Sequence, residues 1–96
     1  MIDAKELFEK HAGEHCRFSR IEKPLHARPD ICAFLLLDKI APKPGADMVS
    51  GTAHEEIFLN ADMELFALRA TEDEVITLRR CGVRYHADFD CFAMYV

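Results

Sequence analysis

The sequence predicts an α+β domain: a small, mainly antiparallel sheet with an N-terminal helix and a pair of helices before the last strands. Three observations lead to this class. Residues 71–82 carry a complete helix signature, residues 3–12 carry a second one, and the apolar segments near the C-terminus are short and strand-like. With 96 residues, the chain suits a single globular domain spanning residues 1–96.

Residues 71–82 give the clearest local prediction. Thr71 is a favourable N-cap, and Glu74 stands three positions later, as a capping box requires. Acidic residues begin the segment, whereas Arg79 and Arg80 end it, which matches the direction of the helix dipole. Gly82 then supplies a left-handed stop.

The N-terminal helix is predicted from Asp3 to about Ala12. Asp3 is the expected N-cap and Glu6 would complete a capping box. Ile2, just before the cap, is placed to pack against Leu7 as a hydrophobic staple.

The next part of the chain is predicted to be extended. Residues 16–21 alternate loosely and suggest a short strand, and residues 22–30 contain two prolines and suggest a loop. Residues 31–40 are apolar on both faces until Asp38, which predicts a central strand covered on both sides.

Turn residues dominate the segment 41–53, which predicts a loop. A short strand is expected over residues 55–59, followed by a helix that starts at Asn60 or Asp62. Residues 83–85 and 89–96 are predicted to form the last two strands, with the apolar final segment inside the sheet.

Composition narrows the function classes. The net charge of −5 argues against a direct nucleic-acid binder, which needs a basic surface. The longest apolar run, residues 31–37, is too short for a membrane span, and the acidic N-terminus is unlike a signal peptide. The four cysteines are Cys16, Cys32, Cys81 and Cys91. They are expected to be reduced thiols in a cytoplasmic protein, and two disulfides in a secreted domain are the alternative. No cofactor is expected.

Two histidine groups deserve weighing as chemical sites. His11 and His15 frame an H-x-x-E-H pattern of the kind that binds zinc in inverzincin proteases, but Gly13 interrupts it. A small zinc-binding domain or metal-dependent enzyme built from His11, His15 and Cys16 therefore stays an alternative. His54 and His86, each followed by carboxylates, are a second set of candidate residues for this same alternative if the fold joins them.

The leading prediction is a non-enzymatic protein-binding module that meets a basic partner surface through acidic residues. A nucleic-acid-binding complex, which exposes a basic groove, is one candidate partner. The acidic surface consists of Glu55, Glu56, Asp62, Glu64, Glu72, Asp73, Glu74, Asp88 and Asp90. A second alternative is a homo-oligomeric structural subunit, such as a homodimer, that associates through Phe58, Phe66 or Met94.

Three segments of the C-terminal half carry a further signal: His54-Glu55-Glu56-Ile57-Phe58-Leu59, Arg80-Cys81-Gly82-Val83-Arg84-Tyr85 and Asp90-Cys91-Phe92-Ala93-Met94-Tyr95-Val96. In these segments the chain resembles small uncharacterised proteins of phages and prophages. The resemblance implies a phage-encoded protein that acts in the bacterial host cytoplasm. It further implies a regulator or inhibitor of a host complex, as anti-CRISPR proteins are, and it transfers no catalytic residue.

Overall fold

The computed structural model describes residues 1–95 as an α+β fold with a four-stranded antiparallel sheet, which confirms the predicted class. Val96, predicted to end the last strand, lies outside the described residues. The helices are Ala4–Lys10 (α1), Pro29–Ile40 (α2), Met63–Arg69 (α3) and Glu72–Cys81 (α4). The strands are Val49–Ala53 (β1), Glu56–Leu59 (β2), Arg84–His86 (β3) and Cys91–Tyr95 (β4).

The strands are arranged in the order β1-β2-β4-β3, so that two hairpins join along the β2–β4 pairing. In that pairing Glu56 lies opposite Tyr95, and Leu59 lies opposite Phe92. The last described strand is therefore an inner strand, as its apolar sequence predicts.

Side chains cap α1, α3 and α4 at predicted residues, although only α4 forms a complete capping box. In α4, the Thr71 hydroxyl accepts from the Glu74 amide at 3.2 Å, and the Glu74 carboxylate accepts from the Thr71 amide at 2.9 Å. Gly82 ends α4 with φ of 100°, a conformation that glycine adopts without a steric penalty. The Asp3 carboxylate likewise accepts from the Glu6 amide at 3.2 Å, and that of Asp62 accepts from the Leu65 amide at 3.1 Å.

Two of the predicted strands are wrong. Residues 31–40 lie in helix α2. They were predicted as a strand because a short run that is apolar on all sides fits a buried helix as well as a buried strand. Pro29 at the first helical position, where its missing amide hydrogen has no role, marks this start. Residues 16–21 fall instead around a 3₁₀ helix, Phe18–Arg20.

The segment predicted as a continuous loop contains strand β1, which pairs with β2 and carries a bulge between Val49 and Gly51. Gly51 favoured the loop prediction, but glycine is also common at the bulge of a β-strand, which is where it lies here. Among the helices of residues 1–95, none has the length and apolar character needed to cross a membrane.

One face of the sheet packs on the helices and forms the hydrophobic core. Phe8 of α1, Phe66 of α3 and Phe92 of β4 are almost fully buried and contact one another, with ring centroids 4.7 to 6.3 Å apart. Phe66 and Met94, two of the three residues suggested for an oligomerisation surface, belong to this core, at 0% and 6% exposure. Neither side chain lies on an exposed patch, because both point to the helix side. The oligomer hypothesis stays a prediction that depends on Phe58.

Candidate functional site

The opposite face of the sheet carries an unusual group of polar and aromatic side chains. Successive residues of a strand point to opposite faces, so alternation places one half of each strand away from the core. We call this surface the open face; it comprises Glu56, Phe58, Arg84, His86, Cys91, Ala93 and Tyr95, with Phe89 from the β3–β4 turn. Ala93 is fully buried, yet it lies outside the hydrophobic core that Phe92 and Met94 join.

An ion pair crosses the centre of the open face. Arg84 on β3 donates a hydrogen bond to Glu56 on β2, although β4 runs between these two strands. Flanking strands are about 9.5 Å apart in such a sheet, and the small Ala93 between them leaves room for the two side chains to meet. The side chains of Glu56 and Arg84 are only 11% and 23% exposed.

His86 extends this pair toward the other end of the sheet. Its Nε2 atom lies 3.7 Å from Oε1 of Glu56. Three buried atoms of the group, Oε1 of Glu56, Nε of Arg84 and Nδ1 of His86, have no hydrogen-bond partner within residues 1–95. Burying polar atoms without partners costs free energy, so folding alone does not account for these residue types.

Aromatic rings surround the charged group. The Phe89 ring stacks on His86 with centroids 4.8 Å apart, and Phe58 meets the edges of both rings at 5.3 to 5.4 Å. The Arg84 guanidinium lies over the Tyr95 ring, 4.8 Å from its centroid. Phe89 and Tyr95 are each 63% exposed, so large apolar surface remains in contact with solvent.

The thiols near this face are poorly suited to nucleophilic chemistry. Cys91 lies directly opposite His86 in the β3–β4 register. Burial, followed by the negative charges of Asp90 and Glu56, raises the pKa of Cys91, which favours the unreactive thiol. Burial also raises the pKa of Cys81, next to Cys32 in the core. Neither thiol is therefore activated as a nucleophile.

The predicted metal ligands His11, His15 and Cys16 do not share a helix face. Helix α1 ends at Lys10 and the chain then turns, so the helical spacing assumed for the two histidines is wrong. His11 Nε2 lies 2.6 Å from a carboxylate oxygen of Glu72 instead. His15 lies beside Arg79, and burial followed by the charges of the nearby arginines lowers its pKa.

Within residues 1–95, no three histidine, cysteine or acidic side chains converge as a metal site would require. His54 lies in the β1–β2 turn with φ of 49°, at the Glu56 end of the sheet. The backbone of His86 pairs with Cys91 at the opposite end of the sheet. Its side chain nevertheless extends toward Glu56, with Nε2 3.7 Å from Oε1. The structure therefore joins His86 to one of the two predicted carboxylate groups, without His54.

The acidic residues proposed from sequence divide into two sets. Five have partners within the chain: Glu56 with Arg84, Asp62 and Glu74 as helix caps, Glu72 with Lys10 and His11, and Asp90 with Tyr85. The other four are exposed and lie on separate elements: Glu55 in the β1–β2 turn, Glu64 in α3, Asp73 in α4 and Asp88 in the β3–β4 turn.

Sequence reasoning missed Arg84, Phe89, Ala93 and Tyr95 as members of a site. A usable signal was the mixture of polar and aromatic residues at alternate positions of two predicted strands. It becomes a site only through the strand order, because β4 must lie between β2 and β3 for Glu56 to reach Arg84.

Comparison with known proteins found no matching family model, no similar curated protein and no similar solved structure.

Proposed function

We propose that the chain is a non-enzymatic protein-binding module and that the open face is the surface that contacts its partner. The observation that carries this proposal is the group of Phe58, Phe89, Tyr95 and Arg84 on one side of the sheet, with two of these rings 63% exposed. Aromatic residues and arginine are enriched in the energetically important centres of protein interfaces.

The charges around the open face suggest the chemistry of the partner. Glu55 lies in the β1–β2 turn, beside the Glu56–Tyr95 end of the sheet, and Asp88 lies in the β3–β4 turn at the other end. Both residues are exposed. An aromatic centre between two acidic ends is complementary to a surface with an apolar centre and basic flanks. The basic partner predicted from composition therefore remains our proposal. It is supported by two of the nine acidic residues, Glu55 and Asp88.

The resemblance of the C-terminal half to phage proteins extends the proposal to a biological setting. A phage-encoded chain would act in the bacterial cytoplasm and would bind a host protein, with a nucleic-acid-binding complex as a candidate because such complexes expose basic surfaces. Regulation or inhibition of that complex would follow from occupying its basic surface.

The test compares capture of bacterial proteins by three forms of the chain. The open-face variant is Phe89→Ser with Tyr95→Ser. The matched control is Leu25→Ser with Leu35→Ser, which removes two apolar side chains that are 52% and 46% exposed outside the open face. We expect a protein that the wild type and the control capture equally and that the open-face variant loses. Its affinity is then measured by calorimetry with the purified protein.

Equal capture by all three forms would contradict the proposal, and so would substrate turnover by the wild type. Native mass spectrometry at two protein concentrations addresses self-association. A wild-type dimer that the open-face variant dissolves would mean that a second copy of the chain, rather than another protein, occupies the open face.

A further inference from the structure

A cavity of about 480 Å³ lies where the end of α4 meets strand β4 and the segment that follows α1. Three of its lining side chains have atoms that bind transition metals: the thiol of Cys16, the thioether of Met94 and the imidazole of His15. Cys16 is exposed, whereas Met94 is only 6% exposed, so the cavity opens to solvent at the thiol and is closed at the thioether.

The two sulfur side chains approach each other above Gly82, which has no side chain of its own. A Cβ atom on Gly82 would lie 3.4 Å from Sγ of Cys16 and 3.7 Å from Cε of Met94. The thiol and the thioether methyl group therefore border the same small space, which a glycine leaves open. The Cys16 amide donates to the Arg79 carbonyl at 2.9 Å, which fixes the thiol at this end of α4.

His15 adds a nitrogen atom that lacks a partner. Its Nδ1 atom is buried and accepts or donates no hydrogen bond within the described chain, an arrangement that costs free energy unless a ligand meets the atom. Asp30 is the one acid among the described residues that line the cavity; it is exposed and accepts from the Ile31 amide at 2.9 Å.

We propose that Cys16 and Met94, with Nδ1 of His15, form a binding site for copper(I). Thiolate and thioether sulfur atoms select this soft ion over harder cations. A structural zinc ion takes four ligands from cysteine, histidine and acidic residues, and three such side chains do not converge anywhere in residues 1–95. Copper(I) needs fewer ligands and accepts methionine, so it fits this set of donor atoms and zinc does not.

The charge near the cavity also favours a monovalent ion. The guanidinium groups of Arg79 and Arg84 do not line the cavity, but their charges act on His15. On binding, Cys16 releases its thiol proton to solvent and the metal keeps its oxidation state. A monovalent ion bound by one thiolate adds no net charge beside the arginines, whereas a divalent ion would add one and would be repelled.

The cavity is separate from the open face. Met94 belongs to the core side of the sheet, and Gly82 lies at the end of α4. Cys81 also lines the cavity, but it is 4% exposed and lies in the core next to Cys32, so we assign no metal bond to it. Copper(I) would connect the segment after α1 to strand β4 and would thereby stabilise the folded chain.

The test measures copper(I) binding by the wild-type chain in the absence of oxygen and of any partner protein. Competition with a chromophoric copper(I) chelator gives the dissociation constant, and native mass spectrometry gives the stoichiometry. Labelling of the methionine methyl groups with ¹³C shows by NMR which thioether binds. We expect one copper(I) ion per chain, a shifted Met94 methyl signal, unchanged signals for the other methionines and a higher melting temperature.

Matched variants separate this site from binding by any thiol. Cys16→Ser should weaken copper(I) binding at least about a hundredfold, because losing a ligand exceeds the usual effect of an outer-shell change. Cys91→Ser removes a partly buried thiol on the open face and should leave the affinity unchanged. Met94→Leu keeps the core volume and should weaken binding about tenfold, whereas Met48→Leu should have no effect. The amide spectrum of each variant verifies its fold.

Equal weakening by Cys16→Ser and Cys91→Ser would overturn the proposal, because the chain would then bind copper(I) through thiols in general. An affinity that Met94→Leu leaves unchanged, or a Met94 methyl signal that does not move, would mean that a lone thiol binds and would also overturn it. Zinc binding of equal strength, or no copper(I) binding, would do the same. None of these outcomes bears on capture by the open face, which is measured without added metal.

Discussion

Strand β4 presents different chemistry on its two faces. Phe92 and Met94 point to the helices and are almost fully buried in an apolar environment. Ala93 and Tyr95 point the other way, where an ion pair, a histidine and exposed rings cover the sheet. The same five-residue strand thus supplies part of a hydrophobic core and part of a polar, aromatic surface.

The difference between the two faces distinguishes residues that stabilise the fold from residues whose presence stability does not explain. Burial of apolar area stabilises the helix side, and many apolar residues of similar volume serve that purpose. On the open face, the Glu56–Arg84 pair has a desolvation cost that offsets much of its attraction. Apolar residues would cover this face of the sheet without that cost, which is why we propose the open face as a recognition surface.

The largest effect is expected from the helix side. Phe92→Ala should lower the free energy of unfolding by about 3–5 kcal/mol, because it removes a ring that contacts Phe8 and Phe66 and leaves a cavity. That loss is a large fraction of the stability of a small domain. Urea denaturation followed by circular dichroism measures it.

Phe92→Leu serves as the control and should cost clearly less, because much of the volume is kept. A loss below about 1 kcal/mol for Phe92→Ala would mean that the core does not depend on this ring.

A smaller effect is expected when the ion pair is broken. Arg84→Met should lower the free energy of unfolding by about 1–3 kcal/mol, because the buried Glu56 carboxylate loses its donor. Arg84 is partly exposed, so solvent screening keeps the loss below that of a fully buried pair. Chemical denaturation of a double-mutant cycle with Glu56→Leu isolates the coupling.

The double variant Glu56→Leu with Arg84→Met should recover most of the stability that Arg84→Met loses, because no charge is then left unpaired. Additive losses in the cycle would show that the two side chains act independently. In that case the open face would have no coupled charged centre.

A pH effect of smaller size is expected at His15. Burial and the nearby charges of Arg79 and Arg84 lower the pKa of His15, so the unfolded chain binds a proton more readily than the folded chain. Stability should therefore decrease as the pH falls through about 6.5, the usual pKa of histidine. Thermal unfolding of the wild type and His15→Gln at several pH values measures this, and an identical pH dependence in both would contradict it.

The smallest effect on stability is expected from the exposed rings of the open face. Phe89→Ser and Tyr95→Ser should each change the free energy of unfolding by no more than about 0.5 kcal/mol, because both side chains are mostly in solvent. Denaturation curves verify this before any binding experiment. A loss as large as that of Phe92→Ala would erase the distinction between the two faces.

Local signals predicted most of the elements. The caps at Thr71, Asp3 and Asp62 depend on side chains and amides three residues apart, so the sequence contains both partners. Helix α2 was mistaken for a strand because burial on all sides removes the periodicity that distinguishes the two. Strand β1 was missed because its residues gain their place only by pairing with β2.

The candidate site was less predictable than the fold. Glu56, Arg84 and His86 come together through strand order and register, which no local pattern specifies. The acidic residues, by contrast, are visible in sequence, but their partners are not. Glu72 of α4 forms ion pairs with Lys10 and His11 at the end of α1, which is distant in sequence. The negative charge of Glu72 is therefore partly neutralised.

The order β1-β2-β4-β3 also has a consequence for folding kinetics. Each hairpin joins neighbouring segments and closes a short loop, whereas the β2–β4 pairing joins segments separated by both helices α3 and α4. Closing this longer loop costs conformational entropy before the β2–β4 contacts can form, so we expect this pairing to be the rate-limiting step. In the β2–β4 pairing Met94 lies opposite Ile57, and Met94 has no partner in β3. Met94→Ala should therefore slow refolding more than it accelerates unfolding in stopped-flow measurements, and the reverse pattern would place the seam after the barrier.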